Sequence, residues 1–257
     1  MFPLATGRLA PEAPGGRPVI WAATGRSGGT SAAPYESLNL ATHVGDDPVY
    51  VDANRGRVAL AVGLPESGLA IMSAVHGADV AVADRAGTYE GVDALVTQAP
   101  GLAVLALGAD CVPLALIGTD GVTVAAVHCG WRGLAADVVA HAVAAMRDLG
   151  ADLRAAVLGP SICGECYPVP QARSDEVASR VSAPVAHAAL VQARDGQPGI
   201  DVREGLRVRL IELGVAPSAI TFAGGCTAED PRLFSYRRDG ITGRQGVVVC
   251  TTAMMDA

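Results

Sequence analysis

The stretch VTVAAVHCGWRGLAADVVAHAVAAMRDLGADLRAAVL, residues 122–158, decides the fold class. Residues 122–128 are an apolar, β-branched run of strand length, as a buried strand requires. Gly130 and Gly133 bracket a tight loop. Residues 134–149 then read as a helix that Gly150 stops, because glycine takes the left-handed conformation beyond a last helical turn without strain. Residues 154–158 return to strand. Strand, loop, helix and strand in that order imply a parallel, right-handed crossover.

The same periods extend in both directions. Toward the N-terminus, residues 69–73, 79–83, 94–97, 103–107 and 113–117 read as strands, and residues 25–34 as a surface loop. Asp47 and Pro48 start a helix over residues 49–62, ended by Gly63. Toward the C-terminus, residues 171–180 and 202–213 read as helices. Asp201 caps the second and Gly214 ends it. Residues 220–223 and 246–250 are short strands. No repeat of fixed period and no long linker interrupts this order. The expectation is an α/β chain with α+β-like layering, in which mixed β-sheets are flanked by helices. Residues 1–257 then form one domain, with a poorly structured segment at 1–18.

Half of the 257 residues are hydrophobic, 18% are charged and 4% are aromatic, so the core must be built from aliphatic side chains. All 19 basic residues are Arg, which reads as a bias of base composition rather than of function. A net charge of −7 argues against binding nucleic acid, which needs basic stripes. It leaves room for one small anion held by one or two local Arg residues. No signal peptide is visible in residues 1–18, and the apolar run 101–107 is too short to span a bilayer. A cytoplasmic protein is expected, with its six cysteines as thiols or ligands rather than a disulfide framework.

Three segments place a ligand-type side chain beside Gly at the end of an apolar strand: AVHG (74–77), GADC (108–111) and VHCGWRG (127–133). Gly lets the backbone turn sharply there, and in α/β sheets sites collect at strand ends. Two imidazoles and a thiolate suit zinc, with a fourth position open to water or substrate. The spacing alone leaves structural roles open, because gaps of 35 and 17 residues match no short zinc signature. Cys129 alternates with His128 along a strand, so it points the other way and reads as a packed thiol. The pair Cys163 and Cys166 (CGEC) suits a zinc half-site, a redox pair or incidental thiols, and no second CxxC accompanies it. Cys226 and Cys250 have no partner pattern and read as core residues.

SLNL (37–40) with GDD (45–47), VHG, GADCVPL (108–114), AAVHCGWRG (125–133), LGPSIC (158–163) with CYPV (166–169), and FSYRRDG (234–240) with GRQG (243–246) together resemble the laccase-domain, or YfiH-like, family. Members are also called multicopper polyphenol oxidase-like proteins or peptidoglycan editing factor. The resemblance runs from about residue 37 to the C-terminus. It implies a YfiH-like fold and a zinc ion bound by His76, Cys111 and His128. It also implies a cytoplasmic, usually monomeric enzyme acting on purine nucleosides. The implied reactions are phosphorolysis of adenosine, inosine, guanosine or methylthioadenosine, and hydrolytic deamination of adenosine. Two positions depart from the family pattern: Ala74 stands where Gln is usual, and Pro168 where Glu is usual. Neither removes a metal ligand.

For deamination, zinc lowers the pKa of water toward neutrality for attack on C6 of adenine. The H-x-E and P-C-x-x-C pattern of other zinc deaminases is absent, and Asp110 is the candidate proton carrier. For phosphorolysis, Arg55 and Arg132 are the candidate phosphate ligands. Asn39 is a candidate for ribose or base, or else a turn-forming Asn. A laccase would need several coppers on many imidazoles, and the chain has five His in all. An amidase that removes a wrong amino acid from a cell-wall precursor is the alternative enzyme, with Cys111 or activated water as nucleophile. A non-catalytic zinc protein is the reading without turnover.

Overall fold

The computed structural model describes residues 2–11 and 15–252. The chain opens with strands β1 (Ala5–Leu9) and β2 (Val19–Ala23), helix α1 (Pro48–Ala61), and strands β3 (Leu69–Ser73), β4 (Val80–Val82) and β5 (Gly87–Glu90). It continues with β6 (Ala94–Thr97), β7 (Ala103–Gly108), β8 (Val112–Gly118), β9 (Val124–Cys129), α2 (Trp131–Ala135), α3 (Val138–Asp148) and β10 (Leu153–Leu158). It ends with α4 (Gln171–Arg180), α5 (Ala183–Ala189), β11 (Leu190–Gln192), β12 (Pro198–Ile200), α6 (Val202–Glu212), β13 (Ile220–Phe222), α7 (Tyr236–Asp239) and β14 (Gln245–Thr251).

Two six-stranded mixed sheets result. One runs β1-β2-β14-β7-β3-β5 and the other β13-β10-β8-β9-β6-β4, while β11 and β12 form a separate hairpin. The sheets pack face to face. Val104, Ala106, Val247 and Val249 of the first sheet meet Ala115, Ile117, Val124 and Ala126 of the second, all fully buried. On the outer face of the first sheet, Leu105, Val248 and Cys250 pack against Val58, Ala59 and Val62 of the α1 region. On the outer face of the second, Leu114, Leu116 and Val127 pack against α3 and α6 through Val139, Val143, Met146 and Leu206. This helix–sheet–sheet–helix layering is the mixed α/β architecture expected. The aliphatic composition suits it, since the central strands β7, β8, β9 and β14 are buried almost throughout.

The crossover is present with one addition. β8 is antiparallel to both β9 and β10, so β9 and β10 are parallel but not neighbours. The helix expected over 134–149 is divided into α2 and α3 at Asp137, which has φ of 55° and whose carboxylate accepts from Arg209 Nη2 of α6 at 2.7 Å. Asp47 and Asp201 cap α1 and α6 as expected, accepting from the backbone N–H groups of Val49 and Glu204. The segment 1–18 is corrected by the structure: it carries β1, paired antiparallel to β2. Residues 1 and 12–14 of that segment lie outside the described residues. No helix among the described residues is long and apolar enough to cross a membrane.

Candidate metal centre and cavity

Two of the three expected ligands sit where the chain passes from one sheet to the other. His76 follows β3 of the first sheet and precedes β4 of the second, and Cys111 lies between β7 of the first and β8 of the second. His128 is on β9, where it is registered opposite Pro113 of β8. Along β9, Ala125, Val127 and Cys129 face the helices, so His128 shares the inter-sheet face with Val124 and Ala126. The ligand atoms of His76, Cys111 and His128 all lie within 4.8 Å of one another. The two imidazoles stand edge to face with ring centroids 4.7 Å apart.

Asp93, just before β6 and fully buried, organises the centre. Its carboxylate accepts from the backbone N–H groups of His76 (2.9 Å), Gly77 (2.7 Å) and Val75 (3.3 Å). It also takes Nδ1 of His128 at 3.0 Å, which turns Nε2 toward the other two ligands. A carboxylate behind a ligating imidazole fixes its tautomer and direction. The three backbone bonds hold the turn in which His76 sits at φ 62°, a left-handed conformation uncommon for a residue with a side chain. Gly130 is required by close approach: a Cβ there would stand 2.8 Å from Cys111 Sγ.

Charge around the centre is mutually supporting. Burial pushes the Cys111 thiol up, but hydrogen bonding and charge from His128 and His76 outweigh it and bring the pKa down to about 6. Burial pulls His128 down, but Asp93 and Cys111 outweigh it and push it up to about 9. A thiolate is therefore favoured at neutral pH. Two imidazoles, a thiolate and a buried carboxylate behind one ring are a donor set that fits zinc.

The three side chains open onto a cavity of about 600 Å³. Tyr167, Trp131 and Tyr236 give it aromatic walls, with Met72, Leu107 and Ile162 beside them. Arg237, Arg244 and His43 bring nitrogen donors to the same space. Arg237 lies over the Tyr167 ring at 4.7 Å, and Arg244 over the Tyr236 ring at 5.9 Å. Burial pulls His43 below its ordinary pKa, and the charges of Arg244 and Arg55 add to this.

The other candidates fall in different places. Asp110 lines the cavity from a turn at φ 105°, not from a strand. Its oxygens accept from Thr227 Oγ1 (2.6 Å), Ser235 Oγ (2.7 Å) and the backbone N–H of Arg237 (2.6 Å). Arg55 donates to the carbonyl of Leu40 and lines a separate depression with Asp52 and Glu66. Arg132 is exposed and stacks on Trp131 at 4.7 Å, outside the cavity lining. Asn39 is fully buried. It binds Asp46 and the Ala41 carbonyl through its amide and accepts from the N–H groups of Ala41 and Arg244, so it acts as a turn-forming residue. Cys129 and Cys250 are packed thiols, as read from the sequence. Cys226 is not only core: its sulfur lies beside Cys163 and Cys166.

Asp93, Arg237, Arg244 and His43 are what sequence reasoning missed. RRDG and GRQG were visible as motifs, but only the fold carries their Arg residues to a cavity more than one hundred residues upstream.

A purine nucleoside phosphorylase of Mycobacterium tuberculosis is 43% identical over 229 residues, which cover 86% of this chain and 87% of that protein. One of Streptomyces coelicolor is 45% identical over 226 residues, covering 86% and 90%. The crystal structure of the hypothetical protein YfiH of Bacillus licheniformis superposes with a TM-score of 0.84 at 28% identity, covering 91% of this chain and 92% of its own. The family model described as multi-copper polyphenol oxidoreductase laccase matches residues 20–252, nearly the whole described chain, and the chain belongs to that family.

Proposed function

We propose that this chain is a zinc-dependent purine nucleoside enzyme, acting in the cytoplasm as a one-domain monomer. The reactions are phosphorolysis of adenosine, inosine, guanosine or methylthioadenosine, and hydrolytic deamination of adenosine. The observation that carries this reading is the His76–Cys111–His128 cluster opening onto an aromatic cavity of nucleoside size that also holds two Arg residues. The names of the relatives support it.

His76, Cys111 and His128 would hold the zinc ion. When bound, zinc supplies a Lewis acid and lowers the pKa of water toward neutrality. Tyr167, Trp131 and Tyr236 bring to the cavity aromatic rings on which a purine can stack. Arg244 donates from Nη1 to the carbonyls of Thr242 and Gly243, which fixes the guanidinium and leaves its other N–H groups to an anion. Arg237 and Arg244 therefore replace Arg55 and Arg132 as the phosphate ligands. In phosphorolysis the C1′–N9 bond breaks, a phosphate oxygen bonds to C1′, and the purine leaves with a proton. Asp110, the one carboxylate among the described lining residues, is our candidate to hold that proton. The copper in the family's description does not change this reading. The cluster gathers two imidazoles and one thiolate, whereas a multicopper oxidase needs several metals on many imidazoles.

Zinc-loaded protein incubated with adenosine, with and without phosphate, tests the proposal by product mass. Adenine with ribose 1-phosphate establishes phosphorolysis, and inosine establishes deamination. Arg244→Ala should raise the KM for phosphate by at least about tenfold, equivalent to a charge-assisted hydrogen bond, with zinc content unchanged. No turnover of nucleoside, with cleavage of a UDP-muramoyl amino acid instead, would replace this reading with precursor editing.

A further inference from the structure

A second cluster lies at the edge of the same cavity wall. Cys163 and Cys166 flank a single 3-10 turn at Gly164–Cys166, and the N–H of Cys166 donates to the carbonyl of Cys163 at 3.1 Å. Cys226 comes from the segment after β13. An isolated parallel bridge pairs Ser161 with Cys226, and the N–H of Thr227 donates to the Ser161 carbonyl at 3.1 Å. The three sulfurs and a carboxylate oxygen of Glu229 all lie within 4.8 Å of one another, and the cysteines are free thiols. Nothing in the nucleoside chemistry uses this group.

We propose that Cys163, Cys166 and Cys226 hold a second, structural zinc ion, with the Glu229 carboxylate as its fourth ligand.

Three arguments support the assignment. The donors match: three thiolates and a carboxylate are a soft, anionic set suited to closed tetrahedral zinc, whose ligand sulfurs stand about 3.8 Å apart for Zn–S bonds of about 2.3 Å. The backbone is preset for thiolate, since the N–H of Cys163 donates to Cys226 Sγ at 3.3 Å. The carboxylate is oriented, since Arg194 binds Glu229 Oε1 and also Glu165 Oε2 at 3.3 Å. That leaves Glu229 Oε2 for a metal and places one cation against the surplus negative charge.

The site would act as a clip. It joins the 161–167 loop to the 225–229 loop, and both reach the cavity. Ile162 and Tyr167 line it, and Thr227 donates to Asp110. The second ion thus holds a wall of the nucleoside cavity without entering it.

Metal content of the full-length chain, purified anaerobically from zinc-supplemented cells, tests the proposal. About two zinc ions per chain are expected. Cys111→Ala should lose one and keep the other, and Cys226→Ser should do the converse. Cobalt-loaded Cys111→Ala, with three thiolates on its ion, should show a stronger thiolate-to-cobalt charge-transfer band than Cys226→Ser, whose remaining ion has one. Should Cys226→Ser fail to fold, peptide-resolved alkylation of the wild type decides. Cys163, Cys166 and Cys226 should be protected with zinc and labelled after chelation. One zinc per chain under zinc excess, with these three thiols labelled equally with or without zinc, overturns the proposal. So does a Cys163–Cys166 disulfide in the anaerobic protein.

Discussion

A carboxylate shut away from water needs partners for both oxygens, and Asp93 finds them in three backbone N–H groups and one imidazole. It therefore positions two members of the cluster by different means, His76 through its backbone turn and His128 through its ring. Asp93→Asn keeps the size of the side chain but loses its charge and one acceptor. It should weaken zinc binding by about 10- to 100-fold, the usual effect of removing a carboxylate behind a ligating His. Competition with a chromophoric chelator measures this, and affinity within twofold of wild type would remove Asp93 from its role. The cluster of His76, Cys111 and His128 was legible because His and Cys beside Gly at strand ends carry their chemistry in their own residue types. Asp93 was not. A single Asp before an apolar strand looks like any turn residue, and its meaning comes from a turn that lies earlier in the chain. Arg55, in the first helix, and Arg132, in the GWRG loop before a helix N-terminus, are visible from local sequence. Arg237 and Arg244 are near the centre only in space.

At the level of elements, capping was read correctly because it is local. Asp47 makes one exposed cap bond, to the N–H of Val49 at 2.9 Å. Asp201 accepts from the N–H of Glu204 at 2.9 Å through Oδ1 and from that of Gly164 at 3.1 Å through Oδ2. Asp201→Ala should therefore cost about 2 kcal/mol and Asp47→Ala about 1 kcal/mol or less, the upper and middle of the range for lost N-caps. Urea titration of both variants checks the order, and equal losses would show that the bond to Gly164 contributes nothing. The division of α2 from α3 was not legible. Residues 134–149 contain neither Gly nor Pro, so local propensity favours one helix. The break at Asp137 is held by Arg209, which donates from Nε and Nη2 to both carboxylate oxygens. β1 was missed for a related reason: its alternation of half-buried and exposed residues has meaning only once β2 lies beside it.

For the molecule as a whole, layering was legible from composition and from the crossover, whereas strand order was not. Hydrophobic periodicity says which faces are buried but not which neighbour buries them. The inter-sheet core is built from aliphatic side chains, with Leu95, Ile117, Val124, Val247 and Val249 fully buried. Stripping zinc with a chelator should therefore leave the far-ultraviolet circular dichroism unchanged and lower the Tm. Restoring free zinc to about 100 times its Kd should return about 2.7 kcal/mol of stability per site, as linkage requires. Loss of secondary structure on stripping would show that the centre holds the fold itself.

β14, at residues 245–251, lies between β2 and β7 in the middle of its sheet, and pairs antiparallel with both. On a ribosome, β2 and β7 emerge long before the strand that joins them. A growing chain carries two open, apolar strand edges until residues 245–251 have emerged, so the first sheet closes only when that strand arrives. The interval in which this chain most needs a chaperone is set by the position of one strand in the order of translation.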